Sequence, residues 1–348
     1  WASVSLAQEP QSIRFEHADE LRRGSGYMVL ADRRIFATMS FLNAVGYDQE
    51  QPDTDMHPLR VRVRRELAER LKEYPAKLDR WKAYYAELGY PVWVFVEFAL
   101  MLSPDHPFRQ VYPASDSQYP EAVAKLRDLP ELLNEFWTLA GLSSLWDEVK
   151  PEYLAEINRY DFDEMARQMS TLWTYLRMPR QDDYVMVNIP NLLDARYTGI
   201  GAQFGPYYYQ VESAGASSYA LNMHEYLHSI VNPLVREHFS IAESKLVEYY
   251  EAGKDGRYAQ SYQSPMAMTY ESLTKALDYR LRVILSADPQ TAMGAEARIA
   301  EIASGGLAPT APFYLLLKDR FETGEASFRE YIPVLLDELP RYRSGPDQ

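Results

Sequence analysis

The chain contains no cysteine, which excludes disulfide frameworks, thiolate metal sites and thiol nucleophiles. Any metal must therefore be held by His, Asp or Glu, and histidine is itself scarce, with six in 348 residues. Basic residues are in deficit: 36 Lys and Arg against 50 Asp and Glu give a net charge of -14, and the basic side chains are dispersed among acids. That distribution argues against a phosphate-binding surface, and so against nucleic acid as the partner. Long apolar runs are missing as well. The longest, PVWVFVEFALML at 91–102, carries Glu97 and is too short to span a bilayer, so it is expected to be a core element and not an integral membrane segment. There is no Walker loop, GxSxG elbow, EF-hand, internal repeat or low-complexity tract. GIGAQFG at 199–205 comes nearest to a nucleotide loop, but no helix opens after it, and it is read as a glycine turn between two strands.

What is present is enough apolar content, 47%, to bury a substantial core in one large domain or two closely packed ones. Ile35, Met39, Leu42 and Val45 recur at helical spacing, so 31–46 reads as an amphipathic helix. Residues 61–88 read as helix broken at Pro75, and 121–140 as helix broken or kinked at Pro130; a further helix is expected over 151–176. The texture then changes. DYVMVNIP (183–190) and YYYQVE (207–212) are rich in β-branched and aromatic residues and read as strands. Helices are expected again around 219–232, 241–252 and 264–285, followed by the loops SADPQTAMG and SGGLAPTAP within a helical C-terminal part, and by a loose tail, SGPDQ. The fold class is α+β, mostly helical with a small mixed sheet beside the central motif. The expected divisions are a leader remnant or loose start at 1–12, a mainly helical part at 13–180, a catalytic core at 181–285 and a helical C-terminal part at 286–348.

The central motif is LNMHEYLHSIVNP, residues 221–233. On a helix, residues four apart lie about 40° around the axis and one turn up, so His224 and His228 can aim their rings at one point. Glu225, rotated about 100° from His224, is poorly placed as a third ligand but can reach a water on the open side of a metal held by the histidines. Ser217 and Ser218 can cap this helix, and Asn232 before Pro233 is expected to end it. Its apolar stripe, Ala220, Met223, Leu227, Ile230 and Val231, leaves both histidines at the edge and Glu225 further out. The plain alternative is a pair of partly buried structural histidines, which leaves the intervening glutamate unexplained.

A third ligand is needed. The glycine and third histidine that would continue a metzincin motif are replaced by Val231 and Leu234. His238, ten residues beyond His228, is a distant candidate, and Glu243, Glu248 and Glu271 are the acidic ones. Glu271 shares the polar side of its helix with Lys275 and Asp278, so its plain reading is a solvated i,i+4 pair with Lys275. Spacing does not choose among these residues.

HEYLHSIVNPL (224–234) followed by YESLTKALDYRL (270–281) resembles the gluzincin-like zincin metallopeptidases. Within them it looks like an uncharacterised family of exported bacterial proteins known only as a domain of unknown function. ADRRIFATMSFLNAVGYD, LNEFWTLAGLSSLWDEVKPEY and DYVMVNIPNLL carry the likeness over most of the chain. The resemblance implies a zincin-like fold, one zinc ion held by His224, His228 and Glu271, and Glu225 as general base. One departure is plain: gluzincins often place an aspartate four residues after the ligand glutamate, and Lys275 stands there.

The expected function is zinc-dependent hydrolysis of peptide bonds in a peptide or protein substrate. Tyr262, Tyr270 and Lys275 are candidates for the donor that stabilises developing negative charge, and the strand at 207–212 could pair with an extended substrate. Ser5-Leu6-Ala7 before Gln8 resembles the end of a secretory signal peptide, so the protein is expected to be exported, periplasmic or extracellular. The rival readings are a noncatalytic secreted scaffold that retains the motif, and a zinc amidohydrolase acting on cell-wall material.

Overall fold

The computed structural model describes residues 21–24, 26–50, 55–117, 119–179, 185–196, 198–214, 219–258, 262–286 and 288–342. The expected leader at 1–12, the capping serines Ser217 and Ser218 and the tail SGPDQ lie outside the described residues. The chain is α+β, mostly helical with one small mixed sheet. No helix among the described residues is long and apolar enough to cross a membrane. Two compact units are formed, Trp1–Phe162 with Asp182–Asn222, and Asp163–Gln181 with Met223–Gln348.

In the first unit, strands β1 (Leu21–Gly24) and β2 (Tyr27–Leu30) precede α1 (Arg33–Val45), α2 (Pro58–Arg70), α3 (Pro75–Leu88), α4 (Val92–Leu100), α5 (Pro120–Lys125), α6 (Leu129–Leu139) and α7 (Leu142–Ile157). Strands β3 (Val185–Asn191), β4 (Gly199–Phe204) and β5 (Tyr207–Ser213) complete a sheet in the order β1-β2-β3-β5-β4. The pairs β2·β3 and β3·β5 are parallel; the two outer pairs are antiparallel. Two expectations are corrected here. GIGAQF is the edge strand β4, and only Gly205, at φ +56°, makes the turn into β5. Ile200, Ala202 and Phe204 alternate along it, a period of two that the glycines obscured in the sequence. The strand at 207–212 lies between β3 and β4, so both its edges are paired and it cannot take up an extended substrate.

Helix α1 is buried along nearly its whole surface and is the core of this unit. Asp32 starts it by accepting from the amides of Arg34 and Ile35, and Gly46, at φ +112°, ends it. Phe41 meets Trp81 and Phe136 at ring-centroid distances of 6.3 and 5.5 Å, joining α1 to α3 and α6 through edge-on contacts. Arg34 is fully buried. Its Nε and Nη2 lie 3.1 and 2.7 Å from the Asp32 carboxylate, and its Nη1 donates to the carbonyls of Leu100 and Leu102, both at 2.9 Å. These contacts hold the end of α4 against the start of α1.

Prolines moved three boundaries. The helix expected at 151–176 is two helices: α7 begins at Leu142, with Pro151 inside it, and α8 (Phe162–Leu176) follows a break at 158–161. Helix α9 (Tyr219–His238) does not stop at Asn232 but runs through Pro233. The proline cannot donate to the Ser229 carbonyl, yet Leu234 and Val235 just beyond it are buried, and that packing carries the helix on. In the expected loop SADPQTAMG, Asp288 instead caps α12 (Pro289–Ser304), accepting from the amides of Gln290 and Thr291.

The second unit takes in α8 from Asp163, α9 from Met223, α10 (Glu243–Gly253), α11 (Pro265–Ser286), α12, α13 (Thr310–Leu316) with a following π turn, and α14 (Phe328–Glu338). Helix α11 is its axis, with buried residues on every side. Arg280 fastens it to the π turn through two 2.6 Å contacts with Glu322 and donates to the Tyr314 hydroxyl at 3.0 Å.

Removing the Asp32 carboxylate deletes a helix cap and leaves the Arg34 guanidinium buried without its counterion. Asp32→Ala is expected to lower stability by about 3–5 kcal/mol, read as a drop in urea midpoint. The double variant Asp32→Ala/Arg34→Met should recover most of that loss; a double variant no more stable than the single would show that packing, not charge, governs this corner.

Candidate metal centre

Helices α9 and α11 bring three donor groups together in the second unit. His224 and His228 stand one turn apart on α9, their rings perpendicular with centroids 5.0 Å apart. Glu271, 5% exposed, projects from α11 between them. Its Oε1 lies 3.5 Å from His224 Nε2, and its Oε2 lies 3.3 Å from His228 Nε2. One ligand atom from each of the three side chains lies within 4.8 Å of the others, so the group could hold a metal ion. Donors about 2.0–2.1 Å from a tetrahedral ion lie roughly 3.3–3.4 Å from one another, and each histidine Nε2 faces a different Glu271 oxygen at 3.5 and 3.3 Å, near that spacing. Two neutral imidazoles and one carboxylate are also a chemically suitable set for a borderline divalent ion.

The far nitrogens of the rings are held too. His228 Nδ1 lies 3.2 Å from Asn232 Oδ1 and 3.2 Å from Thr274 Oγ1, so the ring is held with its Nε2 towards Glu271. His224 Nδ1 faces Asp278 Oδ2 at 4.0 Å, beyond hydrogen-bond range. Asp278 is buried and is held by Arg282, whose Nε and Nη2 donate at 3.0 and 2.5 Å. Lys275 Nζ lies 2.7 Å from Glu271 Oε1. Tyr262 stands near enough to feel the charge of Glu271.

Charge is concentrated here. Burial alone would raise the pKa of Glu271, but hydrogen bonds from His224 and His228, with the charges of His224 and Lys275, hold it well below the usual carboxylate range. Burial would lower the pKa of His228, yet the hydrogen bond and charge of Glu271, with Glu225 and Asn232, outweigh it and raise the value. Burial and the neighbouring carboxylates Glu271 and Glu225 push Tyr262 far above the ordinary phenol range, so it remains a hydroxyl donor at neutral pH. Glu225 is partly exposed on α9, and its charge reaches both His228 and Tyr262.

The other candidates lie elsewhere. Glu248 is paired with Arg341, Glu243 is exposed, and His238 has Glu237 as its acidic neighbour at 3.9 Å. Tyr270 accepts from Arg236 at 3.3 Å. Spacing arguments overlooked Thr274 and Arg282 and left Asp278 on the solvated side of the helix, where it is in fact buried. The signal was available: 271, 274, 278 and 282 recur at intervals of three and four, a polar stripe that reads equally well as a solvated face. Burial of Glu271, Thr274 and Asp278 shows it to be a second inward face of α11. Asp278, seven residues after Glu271, offers His224 the carboxylate that the residue four after it, Lys275, does not.

Comparison of the chain with protein-family models, with curated proteins and with solved structures gave no match, so the site is read from its own geometry.

Asp278→Asn removes a charge from the back of His224 while keeping the side-chain volume. Its affinity for zinc, titrated against a chromogenic chelator, is expected to fall about 10–100-fold with the helical circular dichroism unchanged. An unaltered affinity would mean that Asp278 serves Arg282 alone.

Proposed function

We infer that this chain is a zinc-dependent hydrolase of peptide bonds with a gluzincin-like site on a zincin-like fold. The observation that carries the reading is the convergence of His224, His228 and Glu271, with one ligand atom of each within 4.8 Å of the others and Glu225 on the same helix as both imidazoles. Zinc bound to such a set lowers the pKa of a water toward about 7 and polarises a carbonyl oxygen.

The chain's own residues supply the rest. Glu225 takes a proton from the water as its oxygen attacks the carbonyl carbon, and delivers that proton to the leaving amine nitrogen as the C–N bond breaks. Asn232 and Thr274 fix the ring of His228 and Asp278 orients that of His224, so neither imidazole has to reorganise during the reaction. Tyr262, kept as a hydroxyl, is the candidate neutral donor for developing negative charge.

Elemental analysis should find one zinc per chain. Glu225→Gln is expected to keep the metal and lose at least about 100-fold in peptide turnover. Glu271→Ala should lose the metal, whereas Glu248→Ala keeps it. Full zinc in Glu271→Ala would remove the proposed ligand set. Undiminished turnover in Glu225→Gln would remove the proposed base, and a zinc-loaded wild type without turnover on peptides or cell-wall fragments would favour a scaffold.

A further inference from the structure

We propose that Lys275 is an internal cation that competes with the bound metal for Glu271 and holds the affinity of the site below what its three donors alone would give. This rests on the metal-binding reading above. Lys275 stands one helical turn beyond Glu271 on α11, with its Nζ 2.7 Å from Oε1. Glutamate preceding lysine by four residues is the favourable order for such a pair on a helix, so the contact is built into local geometry. The carboxylate is 6% exposed in its side chain and the lysine 25%, so solvent screens the pair only in part.

A carboxylate offers about four lone-pair directions, and those of Glu271 are heavily used. Oε1 faces His224 Nε2 and the ammonium, and Oε2 faces His228 Nε2. An anionic neighbour behind a metal ligand raises the ligand's basicity. An ammonium does the reverse: it draws electron density from the carboxylate and places a positive charge beside the position a dication would take. Asp278 supports His224 from the other side, so the cation on the carboxylate and the anion on the imidazole act in opposite directions. The outcome is a preorganised site whose occupancy follows the free metal concentration.

The sign of the effect separates this role from a structural one. A salt bridge that only positioned Glu271 would weaken metal binding when removed, whereas a competing cation strengthens it. The test uses the full chain stripped of metal and titrated with zinc against a chromogenic chelator, comparing wild type with Lys275→Met, Lys275→Gln and Lys275→Arg. Lys275→Met is expected to bind zinc about 10-fold or more tightly than wild type, in line with the usual size of effects from groups behind a ligand. Lys275→Arg, which keeps the charge, should stay near wild type, and Lys275→Gln serves if the methionine variant does not fold. Unchanged or weaker binding in a folded neutral variant, while wild type holds one zinc, overturns this role and leaves the metal reading standing. A wild type that holds no zinc overturns both.

Discussion

A buried carboxylate held between two imidazoles is the interaction on which the rest of the second unit depends. An isolated anion away from water is strongly unfavourable, so Glu271 requires compensating positive charge or hydrogen-bond donors on several sides. The structure supplies His224, His228 and Lys275. A divalent ion among the same donors would satisfy that requirement while displacing the protons that otherwise bridge carboxylate and rings. The group is therefore organised before any metal arrives.

That organisation makes unusual demands on the helix carrying the carboxylate. Helix α11 buries apolar residues such as Leu273 and Leu277 together with the polar Glu271, Thr274 and Asp278. The polar members are neutralised within the unit, Asp278 by Arg282 and Glu271 by its neighbours around the histidines. Helix α9 contributes more simply: Met223, Tyr226, Leu227 and Val231 are buried, and both histidines stand at the edge of that surface with partial exposure. Its passage through Pro233 shows packing outweighing one missing backbone hydrogen bond. The first unit uses a related device in Arg34, a buried cation held by Asp32 and two carbonyls at the start of its core helix.

Most helices were legible because local periodicity and capping are written in neighbouring residues. The kinks and breaks at Pro75 and Pro130 fall where helices change, whereas Pro151 and Pro233 lie inside helices because tertiary contacts hold the chain on both sides. Strand β4 was hidden because its glycines resemble a turn and its pairing with β5 is an inter-strand property. The hairpin β1·β2 was not anticipated either; four-residue strands carry too short a pattern to be recognised alone.

By itself the sequence determined that His224 and His228 share one helical face with Glu225 beside them, because a spacing of four residues on a helix is a matter of covalent geometry. It also determined that no thiolate could take part. Only the tertiary structure decided which carboxylate meets those rings, since Glu243, Glu248 and Glu271 are chemically alike and differ only in where their helices pack. It decided likewise that Asp278 faces the back of His224 while Lys275 takes the carboxylate, because a polar stripe looks the same in sequence whether it meets water or a second helix.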